Sequence, residues 1–435
     1  MKAILDIARE KMLIGPGRGS GAGSLVNYVL GITDVDPVEY GLLFERFLSP
    51  ERNEMPDIDS DVSDRDELIN LLRNNFGDSN VIPISNYNTF KLKSLVKDVS
   101  RFYGVPFDEV NKALAPLERD VKTGRKNDVD SKDSFDIGIS EALKYSDSLK
   151  NYLDKYPKIL NPLNVLFKQN KALGRHAGGV IISENIAERM PLILAKGEAQ
   201  TPWVEGMNYK HLEEFGWIKF DLLGLETLRI IEETISLILK KQGLENPEFS
   251  DIEKWFSDNM SPSKIDFNDS YVYENVYHKG KWAAIFQCTQ RGAQALFKRA
   301  KPESIVDIAT LTSIYRPGPL SAKVDKLYIK AKKEPETVVY GHPLIKECLK
   351  ETYGCIIFQE QVMNLCHIVA GIPKAECNAM RKMMKPVGSG NENIEKARAL
   401  KDKFISGSIK NGVDRHIAED LYEKILYFAG YGFNK

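Results

Sequence analysis

Three aspartates alternate with other residues in Met55-Pro56-Asp57-Ile58-Asp59-Ser60-Asp61-Val62. Residues two apart on an extended strand share a face, so Asp57, Asp59 and Asp61 point one way while Ile58, Ser60 and Val62 point the other. Carboxylates crowded in this way repel one another unless cations neutralise them. An oxygen-only set suits Mg²⁺, which takes one or two carboxylates and fills its other positions with water and phosphate oxygens. A solvated acidic edge gives the same pattern. A second strand pattern, Trp217-Ile218-Lys219-Phe220-Asp221-Leu222, sets Trp217, Lys219 and Asp221 on one face and packs Ile218, Phe220 and Leu222 on the other. A carboxylate in so apolar a run needs a partner or a metal, because burying it bare is very unfavourable. Asp221 is therefore a candidate third ligand beside Asp59 and Asp61, with Lys219 available to a phosphate. A structural salt bridge from Lys219 to an acid is the alternative.

The complementary half is Gly15-Pro16-Gly17-Arg18-Gly19-Ser20-Gly21-Ala22-Gly23-Ser24. Glycines let a backbone approach phosphate oxygens closely, and N–H groups at a helix start bind them. Arg18 adds a planar fork suited to phosphate, and Ser20 adds a hydroxyl. The spacing fits neither a Walker A loop nor a dinucleotide fingerprint. Acids on neighbouring strands together with such a loop suggest phosphoryl transfer by two metal ions, which sit roughly 3.5–4 Å apart in such sites.

These residues require a scaffold, and its elements read as follows. The glycine-rich loop feeds a helix over the apolar run 25–30. Strands are expected at 55–62, 180–182 and 217–222, with Gly174-Arg175-His176-Ala177-Gly178-Gly179 leading into the second. Residues from about 91 to 171 are helical in pattern, with a polar loop near 123–133. A helix covers 226–241, and helices continue beyond about 251, broken at Arg316-Pro317-Gly318-Pro319 and around 386–393. The outline is an α/β unit interrupted by a helical insertion and followed by a long helical unit.

Hydrophobic residues make up 43% of the chain and charged residues 28%, which describes a globular protein with a core. No run of about 18 apolar residues exists, and the N-terminus has no apolar signal-like stretch. The five cysteines form no CxxC pair, so reduced thiols fit better than disulfides or zinc. Net charge is −1, but it is unevenly spread: 12 acids face 3 bases over 34–67, and 11 bases face 3 acids over 281–333. One part is built for cations and another for polyanions, or both are solvated faces.

The stretch GPGRGSGAGSLVNYVLGITDVDPVEYGLLFERFLSPERNEMPDIDSDV resembles the palm of C-family bacterial replicative DNA polymerases, the DNA polymerase III alpha-subunit family. GRHAGGVIIS, GWIKFDLLGLETL, AAIFQCTQRG, SIYRPGPL, TYGCIIFQEQVM and FAGYGFNK resemble further blocks of that family, in the same order and spanning nearly the whole chain. The resemblance implies an α+β fold: a DNA polymerase beta-like nucleotidyltransferase palm at 1–92 and 173–227, an inserted helical thumb at 93–172, and mostly helical, incomplete fingers at 228–435. It makes Asp59, Asp61 and Asp221 ligands of two Mg²⁺ ions, with Asp57 structural. It assigns Arg18, Gly19, Ser20 and Lys219 to the triphosphate of a deoxynucleotide, and sets Arg316, Arg381, Asn434 and Lys435 in blocks lining the nucleotide pocket. His176 lies in a family block, yet a lone His beside glycines reads as a packing residue. Ile58 and Ser60 replace the family's usual Phe and Val, and 382–386 is looser than its basic run.

The implied activity is template-directed DNA synthesis in the cytoplasm of a bacterial or phage-infected cell, away from any membrane. Primer–template DNA and deoxynucleoside triphosphates are the implied substrates. The resemblance also implies that a second polypeptide supplies missing C-terminal polymerase regions, and that the isolated chain has little activity. The alternatives are a non-catalytic remnant that binds DNA or a polymerase subunit, and a small-substrate nucleotidyltransferase with a similar palm.

Overall fold

The computed structural model describes residues 1–48, 56, 58–127, 137–195, 197–208, 210–383, 391–429 and 432–435. Asp57 lies outside the described residues, as do parts of the polar loop and of the break expected near 123–133 and 386–393. The chain divides into two compact units: unit 1 comprises 1–81, 177–186 and 216–435, and unit 2 comprises 82–176 and 187–215. Among the described residues the strands are β1 (Asp59–Val62), β2 (Val81–Thr89), β3 (Asn170–Ile182), β4 (Ile193–Ala195), β5 (Glu198–Gln200) and β6 (Lys219–Gly224). A four-stranded sheet runs in the order β1-β6-β3-β2, and β4 pairs with β5.

In unit 1 the alternation of β1 puts Val62 into a core with Ile4, Leu68, Leu72, Val180 and Leu222. Two helices supply that core. Helix Lys2–Arg9 buries Ile4, Leu5 and Ala8, and helix Arg65–Phe76 buries Leu68, Ile69 and Leu72. The second starts where the Asp64 carboxylate accepts the Glu67 N–H at 3.0 Å, and it stops at Gly77, whose φ of 94° continues no helix.

Two strand readings need correction. β6 starts at Lys219, so Ile218 precedes the ladder; it is 43% exposed instead of packing beside Phe220 and Leu222. A residue ahead of the first ladder bond is not bound by the pleat. The glycine stretch 174–179 is itself strand, within a β3 that begins at Asn170. Sequence reasoning also missed β2, in which Pro83 interrupts the usual strand signal, and the short β4–β5 hairpin.

Unit 2 matches the helical expectation for 91–171. Helix Leu92–Phe102 buries Leu92, Leu95, Val96 and Val99, the spacing of one helical face. These pack with Leu117, Leu149, Leu153 and Leu163 from later helices. The Tyr152 hydroxyl donates to Ser100 Oγ at 2.7 Å inside that core, so the buried hydroxyl is satisfied. Helix Leu117–Asn127 runs into the segment expected to be a loop.

The remainder of unit 1 is helical. Helix Glu226–Lys241 has the expected bounds and packs Leu228 and Ile235 with Leu13. One further cluster contains Leu296, Phe297, Leu311, Tyr328 and Phe358, and another contains Cys366, Phe404, Tyr422 and Ile425. The cysteines are free thiols, and burial pushes Cys288 up to about 11 and Cys348 up to about 12. Among the described residues no helix is long and apolar enough to cross a membrane. Leu72→Ala should empty a fully buried site and destabilise the chain by about 2–5 kcal/mol. The exposed Asn70→Ala should change stability by less than about 0.5 kcal/mol. Denaturant midpoints of the two variants compare them, and equal shifts would contradict this core assignment.

Candidate active site

Parallel pairing of β1 with β6 sets Asp59 opposite Asp221, Ser60 opposite Leu222 and Asp61 opposite Leu223. Neighbouring strands lie about 4.8 Å apart, and paired residues present their side chains to the same face. Asp59, Asp61 and Asp221 thus start from one sheet face. Asp61 and Asp221 are each 8% exposed.

β1 is an edge strand, and the glycine-rich segment covers its free side. Ile14 bridges Val62 and Arg18 bridges Asp59, both antiparallel, and the Gly15 N–H donates to the Asp61 carbonyl at 2.9 Å. The chain then forms a tight 3-10 turn over Gly19–Gly23, and the Ser24 hydroxyl accepts the Asn27 N–H to start the short helix Leu25–Val29. Gly19 has a φ of +63°, and a Cβ there would come within 2.6 Å of Asp59 Oδ2. Only glycine lets the loop lie this close to the carboxylate. Ser20 is half-buried in the turn. Gly178 of β3 plays the same part on the other side, since a Cβ there would meet Asp221 Oδ1 at 3.1 Å.

Cations meet Asp61 and Asp221. Arg18 Nη1 donates to Asp61 Oδ1 at 3.0 Å and to Oδ2 at 3.3 Å. Lys219 Nζ lies 2.9 Å from Asp221 Oδ2, with both side chains close to nine-tenths buried. The salt bridge weighed as an alternative for Lys219 is therefore present. Burial pushes the Asp61 carboxyl above its ordinary value of 3.8, and Arg18 offsets only part of that rise. Among the described residues no group of three or more His, Cys, Asp or Glu side chains stands close enough to hold one ion. The backbone register gathers the three aspartates, while the side chains of Asp61 and Asp221 turn to basic partners. All three supply only oxygens, which fits a hard divalent cation.

Asn434 and, through Asn378, Arg381 connect to another short helix, Phe44–Phe47, also in unit 1, while Arg316 and Lys435 find other partners. Arg46 donates to Asn434 Oδ1 at 2.6 Å and to Gln359 Oε1. Arg316 stacks its guanidinium 3.4 Å from the centre of the Phe433 ring, and burial lowers its pKa. Arg381, 4% exposed, donates to Asn378 Oδ1 at 3.1 Å, and Asn378 donates to the Glu45 carbonyl at 3.1 Å. Lys435 reaches Glu351 at 2.8 Å and the Tyr40 carbonyl at 3.0 Å, while its N–H donates to buried Glu360. Sequence reasoning missed Arg46, Glu360 and Gly178. The signal for Arg46 was an arginine inside the apolar run LLFERFL. It also missed Glu232, which accepts the Leu13 N–H at 2.5 Å and the Ser63 hydroxyl, tying helix Glu226–Lys241 to both flanks of the site. His176 lies in unit 2, half-buried on the first part of β3.

The scaffold is mixed α+β, and it lines up strand carboxylates beside a glycine-rich loop. The comparisons narrow its class. Residues 1–224 match the model of the bacterial DNA polymerase III alpha NTPase domain, and residues 227–412 match that of the bacterial DNA polymerase III alpha subunit finger domain. The DNA polymerase III subunit alpha of Borreliella burgdorferi is 36% identical over 429 residues, covering 97% of this chain and 34% of the relative. That of Campylobacter jejuni is 34% identical, covering 99% and 34%, and that of Aquifex aeolicus 34% identical, covering 97% and 36%. The chain belongs to the DNA polymerase III alpha-subunit family. It spans about a third of the length of the curated relatives it matches.

The raised Asp61 pKa has a consequence for stability. Between 3.8 and the raised value the folded state binds the proton more tightly than the unfolded chain, so stability falls as pH rises through that window. Asp61→Asn in chelator should therefore raise the Tm at pH 7. Arg18, 37% exposed in its side chain, can hydrate once released. The gain should shrink as pH falls towards 4. A lower Tm than wild type at pH 7 would refute this account of the pair.

Proposed function

We propose that this chain is the core of a template-directed DNA polymerase, joining the 3′-hydroxyl of a primer to the α-phosphate of a deoxynucleoside triphosphate and releasing pyrophosphate. The observation that carries the reading is the β1–β6 register, which sets Asp59 opposite Asp221 with Asp61 two residues further along the same face. Under this reading 1–92 and 173–227 form a DNA polymerase beta-like palm, 93–172 the thumb and 228–435 the fingers.

Asp59, Asp61 and Asp221 would hold two Mg²⁺ ions, which when bound supply charge stabilisation at the attacking and leaving oxygens. The chain's own residues divide the remaining work. Arg18 and Lys219 neutralise the acids before substrate arrives. Arg18 and Lys219, released from these carboxylates, would be placed to meet the triphosphate. The Gly19–Gly23 turn brings backbone N–H groups near the phosphates, and Ser20 adds a hydroxyl. Arg316, Arg381, Asn434 and Lys435 would form the fingers' side of the nucleotide pocket, with Arg46 holding Asn434 in position. Primer–template DNA and deoxynucleoside triphosphates are the substrates, and a second polypeptide carrying further polymerase regions is the expected partner.

Primer extension, run with the chain alone and with a polypeptide carrying the relatives' further regions, tests the reading. Asp59→Asn or Asp221→Asn should lower incorporation by about a thousandfold while the circular dichroism spectrum stays unchanged. Near-normal turnover in either variant would remove these residues from the chemistry. Extension by no assembly, together with no Mg²⁺-dependent nucleotide binding, would sink the enzyme reading altogether.

The loop makes a separate prediction. Gly19→Ala strains the backbone and pushes on Asp59, so triphosphate affinity should fall about tenfold or more while duplex affinity changes little. Equilibrium binding of each ligand measures the two losses, and equal losses would count against a triphosphate role for the loop.

A further inference from the structure

Away from the carboxylates, helices Arg291–Ala300 and Val324–Lys333 of unit 1 line an open surface cavity of about 600 Å³. Lys298, Arg299, Lys301, Lys326, Lys330 and Lys333 line it, against Glu334 as the acid of the lining. Lysines at 326, 330 and 333 follow the four-then-three spacing of one helical face. Lys332 of the same helix is different: its side chain is about nine-tenths covered, and its Nζ donates to Asp307 Oδ2 at 2.6 Å. Among the described residues none of the five lining lysines makes an ion pair, whereas Arg299 donates to Asp325 Oδ2 at 3.1 Å.

Helix electrostatics do not account for this arrangement. Cations in a last turn complement the helix dipole, which covers Lys298, Lys330 and Lys333. Lys326 sits in the first turn of its helix, where the dipole disfavours a positive charge. Like charges four residues apart also repel, as Lys326 and Lys330 do. The fold therefore keeps a concave surface of one sign against local preference, and such a surface concentrates polyanions.

We propose that this cavity is a binding site for the phosphate backbone of a nucleic-acid strand, engaged without regard to sequence. The donor set favours a strand over a single phosphate. Its free groups are ammonium point charges on flexible stems, and the one planar fork is held by Asp325. From Lys326 to Lys333 the helix rises about 10 Å, which matches about three nucleotide steps along one strand. The identification of the polyanion as DNA rests on the polymerase reading; the polyanion site itself does not.

The test is fluorescence anisotropy of the whole chain with a labelled duplex oligonucleotide, in chelator, over a series of salt concentrations. The variant Lys326→Gln/Lys330→Gln/Lys333→Gln should make the slope of log K against log salt shallower by about 2 to 3, since each lost phosphate contact removes about 0.9. Lys298→Gln/Lys301→Gln should shift it in the same direction from the other helix. A control with equal charge loss, Lys240→Gln/Lys241→Gln/Lys254→Gln at exposed positions, should leave the slope nearly unchanged. Unchanged slopes in both cavity variants, or an equal shift in the control, would overturn the site. So would stoichiometric displacement of the duplex by a deoxynucleoside triphosphate, which would assign the cavity to a free nucleotide. Repeating the series in Asp59→Asn/Asp221→Asn separates the two proposals: a retained slope difference supports the cavity even if incorporation is never observed.

Discussion

Carboxylates that start from adjacent strands on one face repel, and the site's surroundings are arranged around that repulsion. Parallel pairing of β1 with β6 creates the problem by putting Asp59 opposite Asp221. Two bases answer it, Arg18 at Asp61 and Lys219 at Asp221. Burial intensifies both sides of the balance, because charges that lose water repel and attract more strongly. The raised pKa of Asp61 shows that its cation does not fully offset the lost solvation.

Close approach is the second constraint. Gly19 and Gly178 stand on either side of the acids, and at each a methyl group would press on a carboxylate oxygen. Arg65 holds the frame from below, donating to the Leu222 carbonyl at 3.0 Å. Glu232 fastens the helix that follows β6 to the residues flanking β1. The acids therefore sit on strands whose spacing is fixed by backbone pairing, while the loop beside them is shaped by the absence of side chains.

Charge is partitioned along the chain for related reasons. The acidic stretch 34–67 contributes the strand of aspartates, and the basic stretch 281–333 contributes both helices of the lysine-lined cavity. Within the acidic stretch, the helix Phe44–Phe47 links the N-terminal part of unit 1 to the blocks around 359, 378 and 434 through Arg46 and Glu45. That short helix carries few residues of its own, yet it ties together segments more than 300 positions apart in sequence.

Much of this was legible in the sequence because it depends on local periodicity. Alternation put Asp59 and Asp61 on one face, the helical repeat marked 226–241 with its observed bounds, and glycine density marked the loop after Ile14. Local pattern could not show which strands pair. The Asp59–Asp221 register joins residues 162 positions apart and arises from hydrogen bonds between strands, to which composition is blind. Nor could it choose between phosphate and carboxylate as the partner of Arg18 and Lys219, since both basic groups take whichever anion the fold brings near. β2 was hidden by its proline, and the glycine stretch was placed ahead of β3 because only packing shows why Gly178 is small, with Leu223 and Asp221 against it. The sequence by itself determined most of the helices, the strand of aspartates, the acid and base inventory and the family. Tertiary structure decided the pairing of charges, because electrostatic partners are set by distance in space and not by distance along the chain.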